Sequence, residues 1–351
     1  MRGSKLRVLV VDDSAFMRRI ISDLLAEDPG LEIAGRARNG LEAVRMVSEL
    51  QPDVVTLDIE MPVKNGLEAL REIMRICPTP VVMVSSLTQE GANETMQALD
   101  AGAVDFVTKP SGTISLDMGK IGAELRQKVL EAGRIPAGHL RVRSRPAAPP
   151  RVQTGRTGAR KKVDMIVVAA STGGPMALQD LLPVFKKAFP VPILIVQHMP
   201  PGFTASFAAR LNERSRIEVA EAVDGMPIRR GNAVVAPGGL HLAVERRGAE
   251  LVCKLLDTPP VRSVKPSADV LFTSAAEVLG GNVLAVVLTG MGKDGLDGIR
   301  ALHTKGAYVI VESKETCVVN GMPGSVEAAG LANAVLPLYE IGSEVENILG
   351  L

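Results

Sequence analysis

Residues 163–180 read VDMIVVAASTGGPMALQD, and this stretch decides the fold of the half of the chain around it. An unbroken apolar run ends at Ala170. A Ser-Thr-Gly-Gly-Pro turn follows, then apolar residues at helical spacing, with Pro175 at a favoured first-turn position. A short, continuously apolar strand that turns straight into a helix predicts a buried parallel strand with helices over both faces. Working outward, PILIVQ (192–197), NVLAVVLT (282–289) and AYVIV (307–311) repeat the strand type. GNAVVAPGGLHLAVERRGAELVCKLL (231–256) differs, because short strands between Gly-rich turns predict an antiparallel hairpin. The expectation is a mainly parallel, doubly wound α/β domain with a β-hairpin.

The first half shows the same alternation. LRVLVV (6–11), LEIAGR (31–36), DVVTL (53–57), PVVMVS (80–85) and AVDFV (103–107) read as strands. Helical patterns cover 14–27, 39–50, 66–76, 91–99 and 115–132. Five βα units predict a small doubly wound (βα)5 domain. Two domains also suit 351 residues. Between them, residues 134–162 hold nine Lys and Arg, no acid and no hydrophobic period, which predicts a solvated linker. The expected boundaries are 1–125, a basic Pro/Gly-rich linker over 126–162, and 163–351.

Composition narrows the function. With the nine linker cations set aside, the remainder is acidic, since 39 Asp and Glu outnumber its basic residues. There is no Trp and there are two Tyr, so base stacking on aromatic platforms is a poor candidate, and the basic charge lies in the linker rather than on a folded face as a nucleic-acid binder would carry it. The three Cys are far apart without metal-ligand spacing, which fits a reducing compartment. The N-terminus has no signal-peptide pattern, and no apolar stretch approaches the ~20 residues of a membrane span. A cytoplasmic location without direct membrane insertion is expected.

Open α/β sheets place ligands at the carboxyl ends of their strands. In the first half those ends carry Asp12 and Asp13, Asp58, Ser85 and Lys109. Three carboxylates there repel one another unless a hard cation such as Mg²⁺ neutralises them. Lys109 and Ser85 supply a cation and a hydroxyl for a phosphoryl group, and one carboxylate could become its acceptor. LVVDDSAFMRR, VVTLDIEMPVKNG, VVMVSS and DFVTKP resemble the response-regulator receiver signature over about the first third of the chain. That resemblance implies Asp58 as phospho-acceptor, Mg²⁺ held by Asp12, Asp13, Asp58 and the Glu60 main-chain carbonyl, and Phe106 as the rotamer-switching aromatic beside Ser85 and Lys109. It implies a histidine kinase as phosphodonor.

In the second half, Ser171 follows one apolar strand and His198 directly ends another. Of the four His, His139 falls in the linker, His241 between two apolar ribbon positions and His303 on a helix, where structural roles are expected. Ser171 stands beside a helix N-terminus, which stabilises negative charge, although the same Gly-rich turn could cradle a phosphate or merely cap the helix. Asp294 lies in a Gly-rich loop after a third strand. Asp297, the alternative acid, is expected one turn into the next helix. The three strand ends suggest a Ser-His-Asp triad, in an order unlike the chymotrypsin, subtilisin or α/β-hydrolase orders.

AASTGGP, QHMPPGFTASFAARLN, APGGLH, PSADVLF and TGMGKDG resemble the catalytic domain of the chemotaxis protein-glutamate methylesterase family. The resemblance implies Ser171 as nucleophile, His198 as base, Asp294 as orienting acid, and oxyanion donors at Thr172 and Met291. It implies demethylation of glutamate methyl esters on methyl-accepting chemoreceptors, deamidation of receptor glutamines, and no cofactor in this domain. Val264-Lys265 stands where many members carry a His. An unphosphorylated receiver is expected to restrain the hydrolase. The competing readings are a phospho-switched binding module without catalysis, and a nucleotide site that lacks the Walker lysine.

Overall fold

The computed structural model describes residues 5–109, 116–135 and 162–351, in two compact units. The first runs β1 (Leu6–Val11), α1 (Ala15–Ala26), β2 (Leu31–Ala37), α2 (Gly40–Leu50), β3 (Val54–Asp58), α3 (Gly66–Ile76), β4 (Val81–Ser85), α4 (Gln89–Asp100), β5 (Asp105–Thr108) and α5 (Leu116–Ala132). Its sheet is parallel, in the order β2-β1-β3-β4-β5. Residues of β3 and β4 are buried throughout, as continuous apolar runs require when helices cover both faces. Helix starts are set by polar caps: Asn65 and Glu68 form a reciprocal capping box at α3. Gly66 is required there, because an added Cβ would come 1.9 Å from the Asp58 carbonyl oxygen.

Helix α5 is a single element through residue 125, with Val129 and Ala132 fully buried, so the expected boundary at 125 would cut a packed helix. The periodic pattern over 115–132, rather than the onset of basic residues, marks the end of this unit's packed chain. Residues 136–161, most of the expected linker, lie outside the described residues, as does His139.

The second unit runs β6 (Met165–Ala170), α6 (Gly174–Leu181), β7 (Ile193–Gln197), α7 (Phe203–Arg214), β8 (Glu218–Glu221), β9 (Asn232–Val235), β10 (His241–Arg247), β11 (Glu250–Leu256) and α8 (Ala268–Leu279). It continues with β12 (Val283–Val287), α9 (Leu296–Thr304), β13 (Tyr308–Glu312), α10 (Met322–Ala328), β14 (Ala334–Leu336) and α11 (Leu338–Leu349). Seven strands form one parallel sheet, β14-β13-β12-β6-β7-β9-β8. Every residue of β6, β7 and β12 is buried.

The stretch 231–256 is corrected by this topology. Only β10 and β11 form the antiparallel hairpin, whereas β9 pairs in parallel with β7 and β8 inside the main sheet. The Gly-rich turn after β9 looks locally like a ribbon turn, and only the tertiary pairing separates the two.

Helix α8 packs closely on α9 because α9 presents glycines. A Cβ at Gly298 would come 2.5 Å from the Phe272 Cβ, and one at Gly295 would come 3.2 Å from the Ala268 Cβ. Phe272 is fully buried in this seam. Phe272→Ala is expected to cost about 3–5 kcal/mol, read as a lower urea midpoint at unchanged slope.

Candidate functional site

Ala170 and Gln197 are register partners across β6 and β7, so Ser171 and His198 leave neighbouring strands side by side. The His198 N–H donates to the Ala170 carbonyl at 3.1 Å. On the other flank, the Ser171 N–H donates to Thr289 O at 3.0 Å, which fastens the loop after β12 to the same edge. Strands β7, β9 and β8 lie to one side of β6, and β12, β13 and β14 to the other. The order in which successive strands are added therefore reverses between β6 and β12, the switch point where open α/β sheets form their ligand crevice.

Asp294 comes from that loop and is 4% exposed. Its Oδ2 meets His198 Nε2 at 2.8 Å and accepts the Ala268 N–H at 2.6 Å. Its Oδ1 accepts the Ser267 hydroxyl at 2.6 Å and the Asp269 N–H at 3.3 Å. Asp294 thus faces the positive N-terminus of α8. Burial alone would raise its carboxyl, but His198, the Ser267 hydroxyl and the Ala268 amide outweigh it and hold the group below the usual carboxylate range. With Nε2 on Asp294, Nδ1 is the ring nitrogen left for the Ser171 hydroxyl, which makes no hydrogen bond to it among the described residues. Asp297, the alternative acid, is in the first turn of α9 and pairs with Arg262 and Arg300 instead.

Two peptide planes at the rim are pinned through their carbonyls. Ser171 O accepts from Gly174 N at 2.7 Å and from Gln197 Nε2 at 3.0 Å. Gly290 O accepts from Gly321 N at 3.0 Å and Met322 N at 2.8 Å. In a trans peptide the N–H points away from the preceding carbonyl, so the Thr172 and Met291 amides are each directed opposite to those bonds. The two loops are close, since a Cβ on Gly290 would come 2.9 Å from the Ser171 Cβ.

Sequence reasoning missed the residues that hold these groups. Gln197 Nε2 bridges the carbonyls of Ser171 and His198, at 3.0 and 3.3 Å. Thr289 Oγ1 donates to Thr172 O at 2.9 Å, and buried Glu312 accepts the Thr289 N–H at 2.8 Å. Their one readable signal was a place at a strand end: Gln197 and Thr289 close apolar runs and Glu312 directly follows one. His303 is in the last turn of α9, as expected, and His241 is fully buried.

In the first unit, ligand oxygens of Asp12, Asp13 and Asp58 lie within 4.8 Å of one another. Asp12 Oδ2 and Asp58 Oδ2 are buried without a hydrogen bond, which suits a hard divalent cation. Lys109 Nζ reaches Asp58 at 2.7 Å and Asp12 at 3.4 Å. Burial raises the Asp58 carboxyl to about 6 against the pull of Lys109, and it raises Asp12 too. Burial works against the Lys109 charge, but Asp58 and Asp12 outweigh it and lift the ammonium above its usual value. The Ser85 hydroxyl is engaged away from Asp58: it donates to Gly91 O at 3.1 Å and accepts from Thr95 at 2.8 Å. Phe106 is turned inward, 2% exposed, with Lys128 Nζ 5.3 Å from its ring centre. Glu60 follows β3 on the same rim, and its side chain accepts from Ser86 at 3.3 Å. Mg²⁺ is expected to raise the thermal midpoint of the chain, and Asp13→Asn, at an exposed position, to remove most of that rise. An undiminished shift in the variant would take Asp13 out of the site.

Among the described residues no helix is long and apolar enough to cross a membrane. The CheB methylesterase model matches residues 166–345, and the response regulator receiver domain model matches 8–117. A protein-glutamate methylesterase/protein-glutamine glutaminase of Pyrococcus abyssi is 44% identical over 98% of this chain and 94% of its own length. One of Thermotoga maritima is 45% identical over 97% of this chain and 98% of its own. The crystal structure of the Thermotoga maritima CheB methylesterase catalytic domain is 42% identical, with a TM-score of 0.52, over 53% of this chain and 98% of that domain. The chain belongs to the CheB methylesterase family of protein-glutamate methylesterases/protein-glutamine glutaminases, and it carries an N-terminal response regulator receiver domain.

Proposed function

We propose that Ser171, His198 and Asp294 are the nucleophile, base and orienting acid with which the chain demethylates glutamate methyl esters on chemoreceptors and deamidates receptor glutamines. The observation that carries this reading is the 2.8 Å His198–Asp294 bond beside Ser171 at the switch point. His198 Nδ1 takes the Ser171 proton as Oγ attacks the γ-carbonyl, and the Thr172 and Met291 amides face the oxyanion. Collapse expels methanol, which receives that proton from His198. Water, deprotonated by the same nitrogen, then hydrolyses the acyl-enzyme to glutamate and returns Ser171. With glutamine the leaving group is ammonia, and the proton transfers are the same.

Asp58 is the phospho-acceptor in this reading, with Asp12, Asp13, Asp58 and the Glu60 carbonyl holding Mg²⁺ and a chemotaxis histidine kinase as donor. The metal supplies charge neutralisation for the incoming phosphoryl group. Lys109 orients its oxygens, and Ser85 and Phe106 respond by leaving the positions described above. Membranes bearing methyl-labelled receptors should release labelled methanol on incubation with the full chain, and the absence of release would overturn the esterase reading. With kinase and ATP the wild type should accelerate, while Asp58→Ala stays at the unstimulated rate. Equal rates would remove Asp58 from the control.

A further inference from the structure

Resting on that triad, we propose that His241 is a positioning residue for it: His241 fixes the start of α8 against Asp294, and through Asp294 it orients His198. His241 opens β10 and is fully buried, yet both ring nitrogens are engaged. Nδ1 accepts the Ser267 N–H at 3.1 Å. The proton must then reside on Nε2, which is 3.1 Å from the Pro259 carbonyl and donates to it. One imidazole thereby ties the two ends of the loop 259–267 to the hairpin.

The tie matters because of what Ser267 does next. It is the N-cap of α8 in extended conformation, but its side chain makes no capping bond to the helix. Its hydroxyl donates instead to Asp294 Oδ1 at 2.6 Å. The amides of Ala268 and Asp269, two of the first-turn N–H groups that have no partner within the helix, also turn to Asp294. The carboxylate of the triad therefore serves as the cap of α8, and the backbone of the residue next to that cap is held by His241. Three hydrogen bonds in series connect the hairpin to the base: His241 to Ser267, Ser267 to Asp294, Asp294 to His198. The register pair His241–Leu256 places the imidazole on the paired part of the hairpin, which makes it a stiff mount. An apolar side chain would fill the same space while leaving the Ser267 amide without its partner.

Two substitutions separate this role from packing. Asn at 241 keeps an acceptor near the Nδ1 position, whereas Gln reaches the Nε2 position and keeps only the bond to Pro259. In methanol release by the full chain, His241→Gln should lower kcat about 10- to 100-fold with KM unchanged, the scale of a displaced supporting group. His241→Asn should stay within about threefold of wild type, the order of one neutral hydrogen bond. Ser267→Ala should lower kcat as His241→Gln does, and the double variant should be far less than the product of the two, because both act on one link. A folded His241→Gln with wild-type kcat overturns the proposal, as does equal loss in the Gln and Asn variants. If His241→Gln fails to fold, wild-type kcat in Ser267→Ala overturns it. Ser171→Ala, run alongside, keeps the two readings apart. Full release by Ser171→Ala defeats the triad itself, whereas an inactive Ser171→Ala beside an unimpaired His241→Gln defeats only the role of His241.

Discussion

Ser171→Ala is expected to lower kcat for methanol release by about 10⁵- to 10⁶-fold, leaving only what the amides and substrate binding achieve without a nucleophile. The size of the loss follows from the site's construction. The backbone beside Ser171, formed by Gly290 and the pinned turn to Gly174, survives the substitution, so the loss is that of the nucleophile alone. Fold and stability should be unaffected, because the half-buried Ser171 hydroxyl holds no structural bond; the backbone of the turn is held by Gly174 and Gln197 instead. Burst kinetics with an activated ester measure the same thing independently. Wild type should show a stoichiometric acyl-enzyme phase and the variant none.

Asp294→Asn should lower kcat about 10³- to 10⁴-fold, for a reason particular to this carboxylate. All four of its described partners, Ser267, Ala268, Asp269 and His198, are positioned to donate. A carboxamide has one oxygen and one NH₂, and each carboxylate oxygen serves two of these donors, so two of them must face another donor. If the NH₂ turns to His198, Nε2 becomes an acceptor, the proton moves to Nδ1, and the base can no longer take the Ser171 proton. If it turns to α8, the helix start loses its cap. The variant should also change the acid limb of stability. The Asp294 carboxyl is held below its unfolded value of 3.8, so its contribution is complete above that pH and is lost as pH falls through the lower folded value. A plot of thermal midpoint against pH should therefore be flatter below pH 4 in Asp294→Asn than in wild type, and parallel curves would contradict the assignment.

Much of this arrangement was legible in the sequence because the chemistry stands one step beyond unbroken apolar runs. Ser171, His198 and Lys109 each follow, and Asp58 ends, a strand whose burial its own residues declare. Strands β8 and β14 were not legible: they are four and three residues long and only partly buried, β8 carries no apolar run, and the Ala-Val-Leu of β14 is too short to stand out. Strand β9 was absorbed into the ribbon because, of its two parallel partners, β7 lies more than thirty residues away along the chain and β8 is itself illegible. The supporting shell escaped for a related reason. Ser267 reads as an ordinary helix cap, and nothing local tells that its hydroxyl crosses to Asp294. His241 reads as a core residue between apolar neighbours, and its two ring bonds come from a loop that sequence does not fold. Ser85 stands at the expected strand end, yet its hydroxyl is engaged by Gly91 and Thr95, a choice that rotamer and helix placement make.

The register between β6 and β7 also bears on how the enzyme would lose activity. Ser171 and His198, the proposed nucleophile and base, directly follow a pair of register partners on two central strands. A slip of one residue would turn every side chain of either strand to the opposite face, so no graded displacement of Ser171 against His198 is available. Central strands open last, with the free energy of the whole domain. Inactivation by denaturant should therefore coincide with loss of the protected amides of β6 and β7, and the catalytic rate becomes a gauge of how much of the population retains an intact sheet.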